Sequence, residues 1–172
     1  MNTAARFLTA VATLAAVCAA APVSAQDTAR SPAEWITLGD TVHGGFGSHI
    51  ALGIRIGEDA LKRLGAQRRE VDVTVTEGRD APCACVTDGV MIATSASPGQ
   101  RTLTLLPKSA EATFMAQVDI KNRKTGAAVS YKVPASAIGP LAAMNPQKSP
   151  RERYDLVMAT PAAQLYSVND TQ

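Results

Sequence analysis

The sequence predicts an α+β domain with helices packed on one face of a mixed β-sheet, in the order helix, strand, helix, three strands, helix. Three observations carry that expectation. Ile50, Ile54, Gly57, Leu61 and Leu64 recur at helical spacing, so one side of residues 50–65 is apolar. Val71-Asp-Val-Thr-Val-Thr76 alternates strictly and is β-branched, as a half-buried strand does. Three further strand-like runs follow one another between residues 101 and 133 without intervening helices, which favours an α+β layer over a regularly alternating α/β fold.

The first 25 residues stand apart from that domain. Met1–Ala25 contains one charge, Arg6, then an apolar run from Leu8 to Ala21, and closes on Val23-Ser24-Ala25. A basic start, a short apolar stretch and a small-residue exit describe a secretory signal peptide cleaved after Ala25. The stretch is too short and too rich in alanine for a membrane span. The expected product is periplasmic or secreted, with no membrane partner after cleavage.

Residues 26–42 are expected to form a polar leader and a short helix, Ala33–Val42, around the only tryptophan, Trp35. His43-Gly-Gly-Phe-Gly-Ser-His49 reads as a glycine-rich loop with an imidazole at either end. Ser48 is the expected N-cap of the helix that follows, and Gly65 its stop. Gly53 and Gly57, one turn apart, weaken the helix but admit a close neighbour.

After the strand at 71–76, residues 77–82 form a polar turn, and residues 85–95 a shorter helix with Asp88 in its first turn. Ser97-Pro-Gly-Gln100 breaks the chain. Strands are expected over 101–106, 112–122 and 127–133, the last two joined as a hairpin by Asn122-Arg-Lys-Thr-Gly126. Residues 134–149 read as a loop with one helical turn. Ser149-Pro150-Arg-Glu152 then starts a C-terminal helix interrupted at Pro161. Residues 43–172 thus make one domain with its core in 43–133, and Leu105, Leu106 and Val129 lie on strands whose edges suit a homodimer.

The composition narrows the function. Of 172 residues, 46% are hydrophobic, 4% aromatic and 19% charged, with a net charge of +2. Near-neutral charge with interspersed signs excludes a strongly basic nucleic-acid surface and an acidic disordered tail. Cys18 leaves with the leader, so the exported chain holds Cys83 and Cys85. Two cysteines one residue apart make no disulfide framework, and in an oxidising compartment they are oxidised, buried or metal-bound.

His43 and His49 are the only histidines. Around Gly44, Gly45 and Gly47 the two imidazoles could converge, or backbone amides could meet an anion. The helix that starts near Ser48 points its positive end at the same loop, and the helix that starts at Cys85 adds a second positive end if the two pack together. Imidazole with thiolate suits zinc, copper or nickel. The same groups also suit nucleophilic chemistry, with Cys85 activated by His43 and Arg55 orienting an anionic substrate. A plain surface loop beside buried, reduced cysteines is the third reading.

Three blocks carry a family resemblance. His43-Gly44, Ile50-Ala-Leu-Gly53-x-Arg55 and Ala60-Leu61-x-x-Leu64-Gly65 form the first. Ala84-Cys85-x-x-Asp88-x-Val90 with Thr94, Gly99 and Leu103 forms the second, and Asn122-Arg-Lys-Thr-Gly126 the third. Together they resemble the FmdE family of formylmethanofuran dehydrogenase components from about His43 to Val133. The resemblance implies that family's α+β fold, often paired as a dimer, and a transition metal, zinc foremost, held by histidine and cysteine. His43 and Cys85 match ligand positions, and Asp88 a nearby acidic position. Gly45, Gly47 and Ala96 stand where the family carries a histidine and two cysteines, and the zinc-ribbon tail of many members is missing. His49 and Cys83 are the extra donors that could rebuild the site. The expected function is an exported domain that binds a transition metal or metal-bearing cofactor through His43, His49, Cys83 and Cys85. Gly44, Gly45, Gly47, Arg55 and Asp88 are expected around that ligand. The alternatives are an enzyme using Cys85 or a metal-bound water, and a relative that has lost its site and serves protein contacts.

Overall fold

Ser31 starts the first helix by a reciprocal cap: its hydroxyl accepts the Glu34 amide, and the Glu34 carboxylate accepts the Ser31 amide at 2.7 Å. These observations come from a computed structural model that describes residues 29–171; the expected leader at Met1–Ala25, with Cys18, lies outside them. Helix α1 runs Pro32–His43 and buries Trp35. Gly44, at φ 81°, turns the chain out of it and donates its amide to the Asp40 carbonyl at 2.9 Å.

Helix α2, Ser48–Arg63, buries Ile50, Leu52, Ile54 and Ile56 among smaller residues. Its N-cap is Gly47, with no side-chain cap. Ser48, expected in that role, is the first helical residue, and its hydroxyl donates instead to the Leu141 carbonyl at 2.6 Å. Strand β1, Val71–Glu77, and helix α3, Cys85–Thr94, follow as the sequence pattern indicates. Then come β2, Leu103–Leu105, β3, Phe114–Asn122, and β4, Ala128–Pro134.

The sheet order is β2-β1-β3-β4-β5, with β1 and β2 parallel and the remaining neighbours antiparallel. Val75 stands opposite Val118, and Val118 opposite Tyr131. These side chains share the buried face, while Asp72, Asp119, Lys121 and Lys132 project from the other, wetter face. Trp35 of α1, the apolar side of α2 and Val157 join these strand residues in one core. The expected α+β architecture is therefore present.

Two elements depart from expectation. Residues 134–149 hold a 3-10 turn, Ala135–Ala137, and a full helix α4, Ile138–Gln147, rather than a loop. Pro140 lies in the first turn, where an amide has no intrahelical acceptor anyway, and Pro146 lies at the far end, so neither breaks the middle. Helix α5, Pro150–Ala159, opens with the expected Ser149–Glu152 cap and stops before Pro161. A short helix α6, Ala162–Leu165, leads into a strand that the sequence does not announce, β5, Ser167–Thr171, which pairs with β4.

Strand β5 also corrects the expected dimer edge. Val129 lies on β4, which is hydrogen-bonded on both sides, and it is 1% exposed in the core. Leu105 and Leu106, at the β2 edge, are exposed.

Candidate functional site

The glycine-rich segment is short because it links two helices directly. His43 is the last residue of α1 and His49 the second of α2, so five residues carry the chain between the imidazoles. Phe46 folds inward and is buried, which holds the segment down against α1 and α5. Helix α3 packs along α2, and both begin at the same end of the pair. Cys85 and Asp88, three residues apart at the start of α3, therefore reach the same ring.

His43 lies between them. Its Nδ1 is 2.7 Å from Asp88 Oδ2, and its Nε2 is 3.5 Å from Cys85 Sγ. An ionised carboxylate can only accept, so Nδ1 carries the hydrogen and Nε2 faces the sulfur. Both side chains of the His43–Asp88 pair are about one-third exposed (32% and 33%), so the pair orients a ring at a cleft rim rather than anchoring the core.

Cys83 and Cys85 are joined to each other as a disulfide. Cys83 is exposed and Cys85 half-buried, and both face a cleft of about 460 Å³. Gly44, Gly45 and Gly47 form one wall, and Phe46, Ile50 and Pro82 supply apolar surface. His49 lines the same hollow from below. It is 5% exposed, its Nε2 has no hydrogen-bond partner, and burial pushes its imidazole below the ordinary histidine range.

The last third of the chain closes the floor. Arg153 of α5 donates to the Phe46 carbonyl at 2.7 Å and to the Asn145 carbonyl, while its Nε is buried without a partner. Asn145 Oδ1 accepts the Ser48 amide at 3.1 Å and so caps α2 in place of a preceding side chain. Sequence reasoning missed Arg153 and Asn145. Arg153 lies 107 residues from Phe46, and no local pattern links such distant partners.

Seven expected site residues thus line one hollow, namely His43, Gly44, Gly45, Gly47, His49, Cys83 and Cys85, and Asp88 stands behind His43. Arg55 does not join them. Its Nη1 donates to the Val157 and Thr160 carbonyls at 2.5 Å each, satisfying the end of α5, and its guanidinium lies 5.9 Å from the Tyr166 ring centre. The end of a neighbouring helix, not a substrate, uses that charge. With the sulfurs bridged, no cluster of three or more His, Cys, Asp or Glu side chains is arranged to hold a metal ion among the described residues.

A protein-family model described as "FmdE, Molybdenum formylmethanofuran dehydrogenase operon" matches residues 42–171. That span takes in every residue of the cleft. No curated protein matches the chain.

Proposed function

From the premise that this chain belongs to the FmdE family, we propose that it is an exported binding domain whose reduced form takes a transition metal ion, zinc foremost, or a metal-bearing cofactor. The observation that supports this reading is the 3.5 Å separation of His43 Nε2 and Cys85 Sγ. Zinc bonds of about 2.0 Å to nitrogen and about 2.3 Å to sulfur, opened to a tetrahedral angle, put the two donors about 3.5 Å apart. The donor pair fits that edge once the sulfur is a thiolate.

Asp88 adds a second reason. Metal-binding histidines usually give their other ring N–H to a carboxylate, which fixes the tautomer and raises the basicity of the ligating nitrogen. His49, with its unpartnered Nε2 on the same hollow, and Cys83 are the further donors. Gly44, Gly45 and Gly47 leave room for a ligand beside them. A bound ion there would act as a Lewis acid toward a ligand in the cleft. The apolar wall of Phe46, Ile50 and Pro82 limits the water that reaches it.

Because a disulfide sulfur is not a thiolate, reduction must precede binding. Calorimetric titration with zinc, copper and nickel tests this on the purified protein, oxidised and phosphine-reduced. The reduced form is expected to bind one equivalent, and the oxidised form and the reduced His43→Ala/Cys85→Ser variant at least about 100-fold more weakly. Equal binding by the reduced protein and that variant overturns the reading. The exposed Leu105 and Leu106 at the β2 edge support a homodimer as the assembled form, which sedimentation of the Leu105→Lys variant checks.

A further inference from the structure

The bridge between Cys83 and Cys85 has neighbours that a purely structural crosslink does not need. It spans one intervening residue, so it ties no distant elements together. It lines an open cleft and presents Cys83 to solvent. Cys85 is the first residue of the ten-residue helix α3, whose start has no side-chain cap, so charge on its sulfur meets the positive end of the helix. His43 Nε2 stands 3.5 Å from that same sulfur, on a ring held by Asp88.

We propose that the Cys83–Cys85 bridge is a thiol–disulfide exchange centre that oxidises a dithiol held in the cleft. The first thiol of the substrate gives its proton to His43 Nε2, and the thiolate so formed attacks Cys83 Sγ, the exposed sulfur, in line with the S–S bond. That bond breaks, a mixed disulfide forms between the substrate and Cys83, and Cys85 Sγ leaves with the electron pair. Its negative charge develops against the N-terminus of α3, and the proton that His43 Nε2 took from the entering thiol passes to it. The second thiol of the substrate then attacks the substrate sulfur of the mixed disulfide, closes the substrate's own disulfide and expels Cys83 as a thiol. Two hydrogens have moved from the dithiol to Cys83 and Cys85, and two electrons with them.

The division of roles follows from position. Cys83 is the sulfur an entering group can reach, and Cys85 is the sulfur whose departure is stabilised. The glycine wall leaves space for the entering chain, and the apolar surface beside it suits the carbon skeleton of the dithiol. The exchange is independent of metal binding, because it uses the oxidised form.

The test is run on purified protein with a chelator present, so that failure of the metal reading leaves it intact. Oxidised protein is treated with dithiothreitol, or with a peptide carrying two cysteines, then quenched with iodoacetamide and weighed. The folded protein is expected to gain two alkyl groups at unchanged circular dichroism, and faster than the same chain unfolded in urea. His43→Ala is expected to slow the reaction at least about tenfold, with added imidazole restoring part of the rate. His43→Gln, closer in shape, serves if the alanine variant does not fold. Reaction with dithiothreitol alone assigns a small dithiol, and reaction with the peptide as well assigns a protein segment. A bridge reduced no faster when folded than when unfolded, or a rate indifferent to both His43 substitutions, overturns the proposal.

Discussion

Gly53 of α2 and Gly89 of α3 face each other so closely that neither position has room for a methyl group. A Cβ on Gly53 would stand 2.8 Å from Gly89 Cα and 2.2 Å from the Val86 carbonyl oxygen. A Cβ on Gly89 would stand 2.8 Å from Gly53 Cα and 2.2 Å from the Ile50 carbonyl oxygen. The obstacle in each case is backbone, which cannot rotate away.

Two opposed effects make this contact testable. Replacing a mid-helix glycine by alanine would stabilise a free helix by about 1 kcal/mol. Forcing the two backbones apart costs about 1–3 kcal/mol or more. Gly53→Ala and Gly89→Ala are therefore each expected to lower the urea midpoint. A raised midpoint would mean that the helices do not touch here.

Arg55→Lys is expected to cost about 2 kcal/mol, because one ammonium cannot reproduce the charged donor shared by the Val157 and Thr160 carbonyls. The same change is expected to leave metal titration and disulfide reduction as they were. A lysine variant with full stability but altered binding would return Arg55 to the role of ligand anchor.

Tyr131 is expected to weaken the fold at alkaline pH. Burial first, then its 2.8 Å bond to Asp59, pushes the phenol well above its ordinary value. The unfolded chain ionises near its ordinary value of about 10, while the folded chain does not. Stability from this group is thus complete below about pH 10 and is lost as the pH rises further. Tyr131→Phe is expected to cost roughly 1 kcal/mol at neutral pH and to flatten the fall in thermal midpoint between about pH 9 and 11. Tyr154 and Tyr166, also raised by burial, keep part of that fall in the variant.

Asp88→Asn is expected to change the tautomer of His43. Nitrogen-15 spectra of the neutral ring should show the hydrogen on Nδ1 in the parent protein and a mixture in the variant. An unchanged tautomer would mean that the 2.7 Å contact does not orient the ring.

What could be read from the sequence was local. Strand β1 is legible because one face is buried, so Val71, Val73 and Val75 alternate with polar residues. The β3–β4 turn is legible because Asn122 is suited to accepting the Lys124 amide, which it does at 2.8 Å, and Gly126 takes φ 81°. His43 and Cys85 stand out as rare, reactive residue types, and their meeting across 42 positions follows once the end of α1 packs beside the start of α3. Strand β5 escapes notice because Ser167-Val-Asn-Asp-Thr171 is an edge strand with one apolar residue and no period to detect. Arg55 misleads because a cation set among the apolar residues of α2 resembles a ligand grip, and only the tertiary fold supplies the carbonyls it serves.

The reach of Arg153 back to Phe46 has a consequence for how the molecule is made. A chain emerging during synthesis exposes its imidazoles and sulfurs long before the residues that shape the hollow beneath them. The sulfur pair is made first, and the hollow that it lines is complete only when the final helices dock.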